Sequence, residues 1–185
     1  MIDPALIRTR MTAAEFLALP ESNTPMELLD GEIIMAPSPI PQHQDIVGNV
    51  FVILKQLAKQ IGGRAFVAPL DVYLDDHNVA QPDVLWIAEN SRCQVTTTHL
   101  VGAPDLVVEV LSPSTAWQDK TVKFRLYQQH GVREYWLVDP MYRLVEVWRL
   151  VENRFEPQGV YGADEAFGSA VLGDQNVAVK SILES

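Results

Sequence analysis

The sequence is poor in cysteine and in long apolar runs, and each shortage excludes a class of protein. Its single cysteine, Cys93, excludes an internal disulfide and a zinc site made of several cysteines, so a reducing compartment is expected. No run approaches the roughly 18 to 20 apolar residues of a membrane-spanning helix. The N-terminus has no basic patch followed by an apolar core, so no signal peptide is expected. These features predict a cytoplasmic protein with no membrane partner.

Basic residues are also scarce. The chain has 14 lysines and arginines against 24 acidic residues, for a formal net charge of -10. This charge argues against sequence-blind binding of a polyanion over a broad surface. A nuclease is still compatible with this charge, because a local basic cleft, or metal ions held by some of the carboxylates, can make the electrostatic potential positive where a phosphate binds.

The length and apolar content fit one domain. With 185 residues, 48% of them hydrophobic, the chain can bury a substantial core. We predict a single domain over 1–185, with its core over about 10–150 and a short C-terminal β extension over 151–185. No internal repeat or low-complexity segment divides it.

Local signals place the first elements. Thr12 and Glu15 form a capping-box pattern that predicts a short helix ended by Pro20. Asp30-Gly31 predicts a two-residue β-hairpin, because both turn residues tolerate positive φ. Apolar residues recur at helical spacing from about 43 to 61, which predicts a core-facing helix.

The remainder alternates extended and helical patterns. A helix is predicted over about 117–130, and extended segments over the ranges 64–74, 81–87, 104–111, 134–138 and 143–150, with short extended pieces beyond 154. Strands interrupted by two long helices, with some neighbouring strands joined as hairpins, predict an α/β fold. We expect a central mixed β-sheet flanked by helices, with an N-terminal hairpin and additional C-terminal strands.

Glu109 is the least expected residue of this pattern. It lies within the apolar run Leu-Val-Val-Glu-Val-Leu at 106–111, which is typical of a strand covered on both faces. An ionised carboxylate there costs several kcal/mol unless a cation or hydrogen-bond donors meet it. Glu109 is therefore either half of a structural ion pair with Lys123 or an arginine, or part of a functional site.

Other charged residues have positions that allow them to join Glu109. Asp83 begins the preceding long strand, and its carboxylate converges with Glu109 if the two strands are neighbours. Taken alone, Asp83 also fits a turn or a strand edge. On a helical wheel, Asp119 and Lys123 fall in the same sector as Tyr127, facing the sheet. A lysine there either has buried partners or extends past its neighbours to solvent.

Two carboxylates and a lysine suit phosphodiester hydrolysis. Asp83 and Glu109 would hold Mg²⁺ or Mn²⁺ through hard oxygen atoms, and the metal would acidify a water molecule and neutralise charge on the phosphate. Lys123 would orient or deprotonate the attacking water, or stabilise the developing charge.

The ordered set of motifs resembles the Uma2 family of endonucleases, also called DUF820. The matching pieces are MELLDGE at 26–32, His43, QPDV at 81–84, APDLVVEVLSPST at 103–115, Lys123 to Tyr127 and GVREYWLVDP at 131–140, so the resemblance spans about residues 10–150. It implies a restriction-endonuclease-like fold of the PD-(D/E)XK nucleases and a metal-dependent active site.

The resemblance also implies roles for individual residues. Asp83 matches the first acid of the motif and Glu109 the second, whereas Leu111 stands where the motif has lysine. Lys123 matches the lysine of members in which that group has moved to the following helix. The auxiliary candidates are Glu27, or with less support Glu32, together with His43 and Asp119. His43 also fits a plain role at the start of its helix.

These observations predict an endonuclease dependent on Mg²⁺ or Mn²⁺ that acts on DNA. The alternatives are a catalytically inactive module of the same fold that binds protein or nucleic acid, and a small-molecule phosphodiesterase. Aromatic residues along 135–138 and 144–148, together with Phe124, predict a homodimer surface suited to a two-stranded substrate.

Overall fold

The computed structural model describes residues 10–20, 22, 24–35, 38–173 and 175–184. Residues 1–9, which carry the signal-peptide prediction, lie outside these ranges. Within the described ranges, no helix combines the length and the apolar character needed to cross a membrane.

The described residues form four helices and fourteen strands. Helix α1 spans Ala13–Leu17, α2 spans Pro41–Ile61, and α4 spans Val179–Leu183. Helix α3 runs continuously over 116–130, with α-helical ends at Ala116–Gln118 and Phe124–His130 and a π-helical segment, Asp119–Lys123, between them. The strands are β1 Met26–Leu29, β2 Glu32–Met35, β3 Arg64–Val67, β4 Val72–Asp75, β5 Asn78–Ala80, β6 Val84–Ile87, β7 Gln94–Val95, β8 Leu100–Val101, β9 Leu106–Val110, β10 Glu134–Asp139, β11 Leu144–Val151, β12 Arg154–Gly162, β13 Ala166–Ser169 and β14 Gln175–Ala178.

The strands form two large sheets and one small one. The central sheet has the order β12-β11-β10-β9-β6-β3, the second sheet β2-β1-β5-β4-β8-β7, and β13 pairs with β14. In the central sheet β9 and β10 are parallel, as expected for strands joined through a helix, and the other pairs are antiparallel. The predicted mixed sheet with flanking helices, an N-terminal hairpin and C-terminal strands is confirmed.

The central sheet has a different helix on each face. Leu106, Val108 and Val110 of β9 pack in one core cluster with α2, whereas Val107 packs in the other cluster with Tyr127 of α3. The predicted alternation along β9 is therefore confirmed, and it sends the Glu109 side chain toward α3.

Two details of the local prediction differ from the structure. The extended segment 64–74 is two strands in different sheets, β3 and β4, separated by Pro69, which has no N–H to donate to a ladder. The short helix α4 lies in the region where only extended pieces were predicted.

The predicted aromatic dimer surface is wrong. Phe124 packs edge-on against Trp148 and Phe155, with ring centroids 4.9 and 5.1 Å apart, and Tyr135 is fully buried. These aromatics meet inside the chain because α3 lies across the strands that carry them. A homodimer stays a prediction, without this surface as its support.

Candidate functional site

Antiparallel pairing of β6 and β9 brings Asp83 beside Glu109. The register sets Val84 opposite Val108, so the residue before β6 faces the next residue of β9. The backbone N–H of Asp83 donates to Oε2 of Glu109 over 3.3 Å, and the N–H of Val110 donates to Oδ2 of Asp83 over 2.8 Å. The predicted convergence of the two carboxylates is confirmed.

The π-helical segment of α3 supplies the lysine and a further acid. Asp119 and Lys123 are its first and last residues, and both are buried. The Nζ atom of Lys123 lies 3.0 Å from Oε1 of Glu109 and 3.7 Å from Oδ1 of Asp119. The inward orientation predicted from an ordinary helical wheel is therefore correct, although the helix is locally wider than that wheel assumes.

Glu27 is the auxiliary acid that reaches the lysine. It lies on β1, in the second sheet, and its Oε1 is 2.9 Å from Nζ of Lys123. The backbone N–H of Gln81 donates to the same oxygen over 2.7 Å. Glu32, the alternative, is exposed on β2. Lys123 thus bridges carboxylates from both large sheets.

Tyr127 is a site residue whose role the sequence reasoning missed. Its hydroxyl donates to Oε1 of Glu109 over 2.8 Å, and its side chain is fully buried. Its position four residues after Lys123, on the sheet-facing side of α3, could have indicated that the two side chains share a partner. From the sequence, Tyr127 was interpreted only as a residue that packs α3 on the sheet, and the structure adds the contact of its hydroxyl with Glu109.

His43 contacts the other acid of the pair. Its Nε2 lies 3.3 Å from Oδ2 of Asp83, so this histidine, in the first turn of α2, reaches the site as well as starting a helix. Its Nδ1 is buried without a hydrogen-bond partner among the described residues.

The site contains more negative than positive groups. Three carboxylates, those of Glu27, Glu109 and Asp119, lie within 4 Å of the ammonium of Lys123, and the Asp83 carboxylate adds a fourth negative group beside Glu109. Burial alone lowers the pKa of Lys123, but the charges of its carboxylate neighbours outweigh burial and raise that pKa well above its ordinary value. Lys123 is therefore a permanent cation at neutral pH.

Burial shifts the pKa of the acids upward, opposite to its effect on the pKa of lysine. Burial raises the pKa of Glu109, Lys123 opposes that rise, and the neighbouring carboxylates add to it. Burial likewise raises the pKa of Asp119 to about 6, against the lowering effects of Lys123 and of a hydrogen bond with Thr115. For His43, burial lowers the pKa, but the contact with Asp83 and the smaller effects of the Val110 backbone and the Asp119 charge together outweigh burial and raise that pKa.

The donor set fits a hard divalent cation. The Val110 N–H and the His43 imidazole both contact Oδ2 of the Asp83 carboxylate, at 2.8 and 3.3 Å. The Asp83 side chain is 21% exposed, so this carboxylate is partly open to solvent. No group of three or more His, Cys, Asp or Glu residues in the described ranges has a metal-holding arrangement. Two carboxylates with several waters are a common set for Mg²⁺.

Comparisons with known proteins identify relatives of this chain. The sequence model of the Uma2 family, described as "Putative restriction endonuclease", matches residues 13–180. An uncharacterized protein of Synechocystis sp. is 32% identical over 150 residues, covering 78% of this chain and 83% of the relative. The crystal structure of "a putative nuclease belonging to DUF820" from Anabaena variabilis superimposes with a TM-score of 0.77 at 26% identity, covering 94% of this chain and 97% of that one.

Proposed function

Because this chain belongs to the Uma2 family, we propose that it is a Mg²⁺- or Mn²⁺-dependent endonuclease that hydrolyses phosphodiester bonds in DNA. The family description and the solved structure of "a putative nuclease" support a nuclease role. The observation that carries the finer proposal is the buried Lys123, which is shared between Glu27 and Glu109 beside the partly exposed Asp83.

Asp83 and Glu109 are the proposed metal-holding residues. Each carboxylate accepts a hydrogen bond from a backbone N–H of the other residue's strand, and hard oxygens are what Mg²⁺ and Mn²⁺ prefer. When bound, the ion acidifies a water molecule and neutralises charge on the phosphate.

Lys123 is proposed to orient the attacking water and to stabilise charge on the phosphate. Its raised pKa keeps it protonated, so of the roles considered from the sequence the base role has the least support. A cation held in place by carboxylates needs little reorganisation as negative charge develops on the phosphate.

The neighbouring residues are proposed to position these groups. Glu27 and Asp119 fix the ammonium of Lys123, and Tyr127 fixes Oε1 of Glu109. His43 holds the Asp83 carboxylate through Oδ2. Hydrogen bonds to ligand side chains commonly hold a metal site in the required orientation.

An inactive module with a structural ion pair is the second candidate, and one observation favours it. Lys123 is 3.0 Å from Glu109, as a purely structural ion pair requires. Such a pair gives no reason for Asp83, Glu27 and Asp119 to gather at the same place, because each further buried carboxylate adds repulsion. The surplus of acids favours the nuclease.

A plasmid-nicking assay tests the proposal. Supercoiled DNA is incubated with the wild type in Mg²⁺, Mn²⁺ or EDTA, and with Asp83→Asn as the matched variant. Nicking by the wild type with either metal, lost in EDTA and in Asp83→Asn, is expected. Equal nicking by both proteins contradicts the site. Hydrolysis of bis(p-nitrophenyl) phosphate without nicking indicates a small-molecule phosphodiesterase instead.

A further inference from the structure

Among the described residues, the three most exposed large apolar side chains have no role in the proposed chemistry. Trp117, Met141 and Tyr142 have 73%, 74% and 73% of their surfaces exposed. We call these three residues the exposed rim. Single exposed apolar residues are common, but several at one place mark a binding surface.

The fold puts the exposed rim at the same end of the central sheet as the site. Strands β9 and β10 are parallel, and α3 connects them, so α3 begins at the C-terminal end of both strands. Trp117 lies in the first turn of α3, two residues before Asp119. Met141 and Tyr142 lie in the turn directly after β10, and Glu109 is the penultimate residue of β9.

An ion pair fixes the start of α3 over these strands. Nζ of Lys120 is 2.7 Å from Oε1 of Glu146, and Glu146 pairs in register with Leu137, which in turn pairs with Glu109. The first turns of α3 therefore lie over β10 and β11, the two strands that the turn containing Tyr142 connects.

We propose that Trp117 and Tyr142 stack against unpaired bases of the nucleic acid beside the bond that is cut. On this inference, which rests on the proposed nuclease function, the substrate is single-stranded or carries unpaired bases next to the cleavage point. Stacking on aromatic side chains contributes to affinity without any basic residue, which suits a chain with a net charge of -10.

The size of the exposed rim disfavours a second copy of this chain as its occupant. Three side chains offer at most about 600 Å² of contact area. A stable protein interface buries about 800 Å² on each partner. The exposed rim is large enough for one or two bases and too small for a dimer contact by itself.

Oligonucleotide binding tests this inference. The Asp83→Asn protein, whose site is incomplete, is titrated in Mg²⁺ with a labelled oligonucleotide of about 20 thymidines, longer than a typical single-strand binding site. A blunt duplex of equal length is titrated in parallel. We expect the single strand to bind more tightly and to quench tryptophan emission, because Trp117 is exposed, Trp86 and Trp136 are buried, and the half-buried Trp148 packs against Phe124.

Substitutions added to the same background identify the residue responsible. Trp117→Ala is expected to weaken single-strand binding by about ten-fold or more, and Tyr142→Ala by a smaller factor. Trp117→Phe keeps the binding but loses the quenching. Val52→Ala is the matched control, because Val52 is 53% exposed on α2, on the opposite face of the sheet, and its loss leaves binding unchanged.

Three results overturn the inference: the single strand does not bind, the duplex binds more tightly than the single strand, or the Trp117→Ala protein binds the single strand as tightly as its parent. Sedimentation that shows a dimer dissociated by Trp117→Ala assigns the exposed rim to a second copy. Plasmid nicking by the wild type separates the two proposals. Nicking by the wild type together with any of these outcomes overturns only this inference, whereas absence of nicking overturns the nuclease proposal.

Discussion

Glu109 and Glu134 are buried acids on adjacent parallel strands, with 2% and 1% of their surfaces exposed, yet their surroundings differ. Each oxygen of Glu134 accepts one bond from a neutral donor, the Trp136 indole at 2.7 Å and the Ala170 N–H at 3.1 Å. One oxygen of Glu109 is shared by Lys123 and Tyr127, and the other faces Asp83.

The two acids also lie on opposite faces of the central sheet. Glu134 pairs in register with Leu106, whose side chain packs on the α2 face, whereas Glu109 faces α3. Burial of a carboxylate is therefore no indication of a site by itself. Neutral donors satisfy Glu134 locally, whereas Glu109 belongs to a group of charges drawn from both large sheets, and that surplus of charge distinguishes a candidate site from a structural contact.

Exchanging each acid for its amide is the strongest way to separate them. Glu109→Gln is expected to lower metal-dependent cleavage by about 1,000-fold, as for the loss of a group that acts directly on the transition state. Glu134→Gln is the matched control. It is expected to keep the cleavage rate and to lose about 1–3 kcal/mol of stability, because an amide cannot accept both bonds. Initial nicking rates and urea unfolding measure the two effects, and similar rate losses in both variants contradict the distinction.

Removing the cation tests how strongly the acids around Glu109 repel one another. Lys123→Met leaves those acids without their ammonium, and we expect a loss of about 3–5 kcal/mol in the free energy of unfolding at pH 7. The loss becomes smaller at pH 5, because burial raises the pKa values of Glu109 and Asp119 and protonation relieves the repulsion. Urea unfolding at both pH values measures this change, and an equal loss at both argues against a charged cluster.

The pH dependence of Asp119 gives a smaller effect. Its pKa is raised to about 6, from 3.8, so the folded protein binds this proton more tightly than the unfolded chain does. The associated stability is fully present below pH 3.8 and is lost as the pH rises through about 6. Asp119→Asn removes this dependence. Its stability relative to the wild type should therefore rise by about 2 kcal/mol between pH 4 and pH 7, and parallel curves contradict the assignment.

The smallest effect concerns the hydroxyl on Glu109. Tyr127→Phe removes one hydrogen bond from Oε1 and is expected to weaken Mn²⁺ binding by about ten-fold, as other losses of ligand-orienting contacts do. Tyr135→Phe is the control, because the Tyr135 hydroxyl is equally buried but donates to the backbone oxygen of Asp119. Calorimetry with Mn²⁺ compares them. Equal weakening in both variants assigns the effect to general packing.

The sequence predicted the elements and the inward side of α3 because both follow from short-range patterns. Alternation along β9 and helical spacing along α3 are enough to direct Glu109 and Lys123 toward each other. The capping box at Thr12 and the turn at Asp30-Gly31 are confirmed for the same reason. The single-domain boundaries stay a prediction.

The contacts that cross between distant elements were less predictable. The sequence left Glu27 and Glu32 as alternatives, because only the position of the second sheet shows which of them reaches Lys123. The Tyr127 hydroxyl and the His43 contact with Asp83 depend on side-chain distances that no periodicity specifies. The aromatic surface failed as a prediction because the pattern of strands did not show that α3 covers it.

The most direct test of the central claim is a crystal structure of this protein soaked in Mn²⁺, with anomalous density calculated for the metal. We predict a peak between Asp83 and Glu109, and no peak at Glu134. If saturating Mn²⁺ gives no anomalous peak between Asp83 and Glu109, or gives a peak only elsewhere, then these two carboxylates do not form the metal site.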